Sequence, residues 1–449
     1  MSKYLKRFET HTQYNNYASN GSMPKSSVSF CADDHEVHYN PWTWSDQYMQ
    51  TVALEDGTIS FNILKSMGTE YITSISYSTD DGETWTTTSN RNGKSANLQI
   101  TVNVEEGDKV LWKGIAQQLG YPEEPEYNIY NGSFFSSTCE FDAMGNVMSL
   151  IHGDNFKNQT TIESDGCFAY LFYDGDRNIE CKIVNAENLS LPATTLAKKC
   201  YHYMFGECSN LLTTPELPAT TLAEGCYDGM FFKCTSITYA PNLPATTLAE
   251  GCYYGMFQSC TNLTSVPMLH ATTLAVNCYD TMFGNCSSLE SAPLLPAKTL
   301  AKNCYYNMFY KCTSLVVAPE LPATTLEEGC YYMMFHNCTS LTTAPVLPAT
   351  TLAKDCYGFM FRNCTSLTTA PTLPATTLVE GCYKYMFRDC SSLNYIKAMF
   401  TTYPSTTYTE TWVQDVASSG TFVKNSAAAW STSSVDAIPL HWTVQTASA

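Results

Sequence analysis

The sequence predicts a mainly β chain with short helices, in which a solenoid of 26-residue units follows a small β-sandwich. Two observations carry this. Cysteines recur in pairs without one insertion or deletion, the first at Cys200, Cys226, Cys252, Cys278, Cys304, Cys330, Cys356 and Cys382, the second eight residues later, from Cys208 to Cys390. A fixed period of about 20 to 50 residues marks stacked units that bury their apolar faces only against their neighbours. Ahead of the repeats, residues 41–118 alternate polar and apolar side chains over short runs separated by turn residues, the pattern of half-buried antiparallel strands.

The chain divides accordingly into an N-terminal anchoring segment (1–40), the sandwich (41–118), a connector and N-terminal cap (119–165), the solenoid (166–396) and a C-terminal cap (397–449). In the first segment, Asp33, Asp34, His35, Glu36 and His38 form the only cluster with metal-like chemistry. Its histidines are three apart, not the four that place two ligands on one helix face, so it reads as an exposed polar stretch. The runs "TISFNIL", "YITSISYS", "NLQITVNV" and "KVLWKG" are expected to form an immunoglobulin-like sandwich. Ser78, Asp80, Gly82 and Trp85 match the Asp-box of sialidase propellers, but one copy without repeated blades is a hairpin device and not an active site.

Within a repeat, counting the first cysteine as zero, the constant apolar residues are Cys, Tyr at +1, Met at +4, Phe at +5 and Cys at +8. At 3.6 residues per turn they span an arc of about 140°, which predicts one face of a short helix, with the variable positions +2, +3, +6 and +7 on the other side. Leu at +11 and +17, two prolines and Thr-Thr-Leu then predict two short strands around a bend. "CFAYLFYDG" from Cys167 echoes the repeat but precedes Cys200 by 33 residues, and is read as a degenerate first unit with an insertion. The cysteine columns are read as reduced, inward-facing thiols, with some disulfides as the alternative; seven intervening residues is not a zinc spacing. The Asn337-Cys338-Thr339 triplet matches a glycosylation acceptor only as a by-product of the repeat.

The unit's core, "MFxxCTSLTxAPxLP", resembles the BspA-like leucine-rich repeats and related 26-residue bacterial surface-protein repeats, over roughly residues 166–396. The resemblance implies a right-handed leucine-rich-repeat-type solenoid and recognition of surfaces, and implies no catalysis. The block from "YLKRFETHTQY" to "EVHYNP" resembles N-terminal segments of uncharacterised proteins of gut Bacteroidetes bacteriophages and their hosts. After Cys390 the sequence period fails, and Trp412, Trp430 and Trp442 are expected to close the last apolar face.

A formal charge of −18, with no basic stripe, argues against nucleic acid. No run of about 18 apolar residues exists to insert into a membrane, and the start shows no signal-like apolar region, which favours assembly in a cytoplasm and release by lysis. The repeats contribute no constellation of acids, bases and nucleophiles, so neither an enzyme nor a cofactor is expected. The variable face instead carries large rings: Tyr203, Phe232, Tyr254, Tyr306, Tyr310, Tyr332, Phe359 and Tyr385. Rings at solvent positions suit a binding face, although packing on the neighbouring repeat would also hold them. A virion adhesin that binds a host cell-surface glycan or protein, held to other virion proteins by its N-terminal segment, is the expectation. A bacterial surface adhesin or a passive spacer is the alternative, and homo-oligomerisation stays open.

Overall fold

The computed structural model describes residues 44–447 apart from 64–72, 91–97, 117–118, 121–131, 176–179 and 432, together with the backbone of three N-terminal strands, Lys6–Phe8, Val28–Cys31 and Glu36–Tyr39. The anchoring role and the Asp33–His38 cluster of the sequence reading fall outside the described side chains.

Two antiparallel sheets face each other. Gly57–Ile63, Leu98–Val104 and Phe134–Ser137 form one; Met49–Ala53, Thr73–Ser78, Thr86–Asn90, Lys109–Ile115 and Phe141–Asn146 belong to the other. Their inner faces meet at Phe61, Trp112 and Phe135, with Phe135 4.7 Å from Phe61 and 5.3 Å from Trp112, ring centre to ring centre. Two strands of this sandwich come from the stretch expected to be a connector. The second of them, Phe141–Asn146, pairs in parallel with Ile183–Asn185 and Leu189–Ser190, and Asn185 bridges on to Thr213 in the repeats. One apolar core therefore runs unbroken from Met49 to Trp442. The Asp-box turn is locked by its own hydrogen bonds: Gly82 N–H donates to Ser78 Oγ at 2.9 Å, Thr84 N–H to Asp80 at 2.9 Å, and Trp85 Nε1–H to the Gly82 carbonyl at 3.1 Å.

The segment expected to be helical is something else. In each repeat the residues at −1, +3 and +7 have left-handed backbone, as at Gly251, Gly255 and Ser259 (φ 56°, 52° and 65°). A left-handed residue at every fourth position breaks an α-helix into a run of turns. Even-numbered amides close these turns: Tyr254, Met256, Gln258 and Cys260 donate to the carbonyls of Gly251, Tyr253, Gly255 and Phe257. Odd-numbered amides point along the stack, so that Gly251, Tyr253, Gly255, Phe257 and Ser259 donate to Val276, Cys278, Asp280, Met282 and Gly284 of the next repeat at 2.7–3.1 Å. Every amide from 251 to 260 is thereby satisfied, as a buried backbone requires. The true period is four, two residues in and two out, which over nine residues imitates the arc of a helix.

The inward positions are those the sequence singled out. The +1 tyrosines and +5 phenylalanines, 2% exposed or less, stack in two columns with ring centres 5.5–6.0 Å apart. The Phe column enters the sandwich through Phe172 and Phe135, and both columns end on Trp412, at 6.2 Å from Tyr383 and 6.0 Å from Phe387. Beyond Cys390 the backbone step outlasts the sequence period. Tyr383, Tyr385 and Phe387 donate to Tyr408, Glu410 and Trp412, and Tyr395–Ala398 pairs with Thr421–Lys424 in register 26 residues on. At the other end Phe168, Tyr170 and Phe172 donate to Cys200, His202 and Met204, so the stretch from Cys167 stacks as a unit of the same ladder.

The nineteen described cysteines are free and buried. Each second-column thiol donates to the +5 carbonyl of the preceding repeat, as Cys260 does to Phe231 at 3.0 Å and Cys312 to Phe283 at 3.1 Å. That carbonyl also receives the +8 amide of its own repeat, so the thiol satisfies a second lone pair that no other inward side chain reaches. Burial pushes Cys252, Cys304, Cys312 and Cys390 up from 9.0 to about 12. Since the thiolate is the reactive species, the repeat thiols are expected to alkylate only after denaturation, which counting by mass with and without denaturant checks. Rapid native labelling of many would refute the buried ladders.

Candidate functional site

The eight rings expected on the variable face fall into two groups. Tyr203 and Phe232 meet each other at 5.4 Å, and Tyr203 stacks on Tyr170 at 5.9 Å, beside a buried relay in which Tyr170 Oη lies 2.9 Å from His202 Nε2 and Asp228 Oδ2 lies 3.1 Å from His202 Nδ1. Tyr254 is exposed (39%). The next repeat places Asp280 and Thr281 at +2 and +3, and the row of rings is interrupted there. Asp280 is buried, bonded by Thr281 Oγ1–H at 2.7 Å, and burial lifts its carboxyl to about 7.

Past that break the rings form a continuous row. Tyr306 and Tyr332 stack at 5.0 Å, Tyr332 meets Phe359 at 5.3 Å, and Phe359 meets Tyr385 at 4.4 Å. Tyr310 lies apart from that row, edge-on to His336, which reaches Phe359 at 6.3 Å. Burial, then Arg362 and Lys311, lower His336 to about 4, so it is neutral at pH 7. The rings are half-buried rather than fully exposed, because each lies against the next, and they offer edges and hydroxyls more than faces. Tyr332 also lies over Gly358, where a Cβ would come within 2.7 Å of its ring.

Tyr306, Tyr332, Phe359 and Tyr385 line an open groove of about 600 Å³, with Lys302, Asn303, Glu328, Asp355 and Lys384. Sequence reasoning missed these polar residues. Their signal is the left-handed position −1, where Asn303 and Asp355 alternate with Gly329 and Gly381, and a Cβ at 381 would collide with the Asp355 carboxylate. Four groove-side charges are tied to one another: Lys302 to Glu328 at 3.1 Å and Lys384 to Glu410 at 2.6 Å, with Tyr385 Oη–H also donating to Glu410 at 2.6 Å. Burial raises Asp355, Tyr306 and, to about 12, Tyr332. Among the described residues no group of His, Cys, Asp and Glu could hold a metal ion, and no helix is long and apolar enough to cross a membrane.

Stacked 26-residue turns, one shared core and a ring-lined groove describe a repeat protein of the adhesion type. The model of the BspA type leucine rich repeat region matches in six copies over residues 180–316 and 305–433, more than half of the chain. The chain belongs to that family, which is non-catalytic. The match runs past Cys390 to 433, in keeping with the ladder that continues there. Comparison with curated proteins gave no match.

Proposed function

We propose that the chain is a receptor-recognising adhesin whose contact surface is the groove of Tyr306, Tyr332, Phe359 and Tyr385. One observation carries this reading: Tyr306, Tyr332, Phe359 and Tyr385 run ring to ring, with centres 5.0, 5.3 and 4.4 Å apart, along the open groove that they line. Large, half-polar rings held at partly exposed positions suit the anchors of an interface. The finer setting, a bacteriophage virion component that attaches to a host envelope, rests on the resemblance of the N-terminal block to proteins of gut Bacteroidetes phages; a bacterial cell-surface adhesin is the alternative setting.

The full chain carrying Tyr306→Ala, Tyr332→Ala and Phe359→Ala together is expected to lose attachment to gut Bacteroidetes cells while its circular dichroism stays unchanged, because a few central rings carry most of an interface. Single changes should be uneven. Attachment that persists in the folded triple variant, yet disappears when residues 41–118 or 397–449 are altered, moves the site to a flank and leaves the solenoid as a spacer.

A further inference from the structure

The groove's ligand class can be read from which of its polar groups are already engaged. Its ammonium groups already have partners: Lys302 is paired with Glu328, and Lys384 with Glu410. The Tyr385 hydroxyl hydrogen is donated to Glu410 as well. Four polar side chains of the lining have no hydrogen bond or ion pair among the described residues, namely the Asn303 amide, the Tyr306 and Tyr332 hydroxyls and the Asp355 carboxylate. An anionic ligand would meet one uncommitted carboxylate and no uncommitted cation. A cationic ligand would find Lys354 and Lys384 already acting on that carboxylate. A neutral polyhydroxyl ligand suits the set: a carboxylate accepts from two hydroxyls, and phenols and an amide both donate and accept. Phe359 supplies apolar surface between them. A volume near 600 Å³ falls in the ordinary range for ligand sites.

We infer that this groove binds a neutral saccharide chain, with Asp355 accepting from its hydroxyls and Asn303, Tyr306 and Tyr332 completing the contacts. The inference rests on the reading of the groove as the adhesive surface. Binding of the full chain to immobilised gluco-, manno-, galacto- and xylohexaose is the test, with oligogalacturonate as the anionic comparison. At least one neutral hexaose is expected to bind. Asp355→Asn should weaken it about tenfold or more, since bonds to a charged group are the stronger ones, and Tyr306→Phe or Tyr332→Phe several-fold.

These variants keep the fold within reach. Asn tolerates the left-handed backbone of Asp355 (φ 53°), and Phe retains each stacked ring. Binding of none of the neutral hexaoses, binding of the anionic one alone, or wild-type affinity in all three variants overturns the inference. Cells oxidised with periodate separate it from the reading beneath it. Attachment that survives periodate but is lost in the Tyr306/Tyr332/Phe359 triple variant removes the saccharide and keeps the adhesive groove. Attachment unaffected by the triple variant removes the groove itself.

Discussion

Raising the pH through 9 is expected to unfold the repeats in one steep transition, complete by about pH 10. The cause is the thiol columns. Cys252, Cys304, Cys312 and Cys390 are raised from 9.0 to about 12 by burial, and the other column members are raised too. A group whose folded pKa lies above its unfolded value contributes stability that is whole below the unfolded value and is lost as pH rises toward the folded one. The window therefore opens near 9, where unfolded thiols begin to ionise and folded ones do not. Each thiol then withdraws about 1.4 kcal/mol per pH unit. Sixteen of them in the eight repeats give a slope on the order of 20 kcal/mol per pH unit. Against a net stability of about 5–15 kcal/mol, half a unit to one unit suffices. The +1 tyrosines, raised by the same burial, steepen the curve above pH 10. Near-ultraviolet circular dichroism from pH 7 to 11, with tyrosinate absorbance recorded in parallel, checks it. Tyrosinate from the buried +1 column should appear together with unfolding. A chain that keeps its near-ultraviolet signal at pH 10.5 would mean that the thiol columns do not lose stability on this scale.

The sequence made the inward face legible because burial constrains residue type: at 0, +1, +4, +5 and +8 scarcely anything but Cys, Tyr, Met and Phe occurs. It hid the backbone, since a four-residue period and a 3.6-residue period differ little over nine positions. The distinguishing signal was Gly, Asn or Asp at −1 in seven of eight repeats, from Gly225 to Gly381, residues that tolerate left-handed backbone. The ring row was legible as a list but not as a surface. Its members lean on one another and on Gly358, and such compensation between neighbouring repeats shows only when the units are aligned with their stacking offset. The continuation through Trp412 was illegible for a related reason: the Tyr383, Tyr385 and Phe387 amides need only carbonyls at the right step, and a carbonyl is supplied by any residue.

Replacing Phe309 with Ala is expected to cost about 3–5 kcal/mol, whereas Tyr254→Ala or Tyr306→Ala should cost under half of that. Phe309 is fully buried between Phe283 at 5.8 Å and Phe335 at 5.7 Å, the three rings within 8° of parallel. Nothing can close over the gap, because the repeats on either side are held at their step by backbone bonds such as Phe309 N–H to Met334 and Phe283 N–H to Met308, each 3.0 Å. The cavity therefore stays, and its cost adds to the lost burial. Tyr254 is exposed and Tyr306 half-buried, so truncation there removes less contact. In an array coupled only through neighbours, weakening one interface also loosens cooperation across it. The Phe309→Ala chain should melt in two steps in urea where the parent melts in one, and amide exchange should quicken first in the repeats flanking 309. Equal losses at Phe309 and Tyr254 would mean that the two-in, two-out assignment of the turns is wrong.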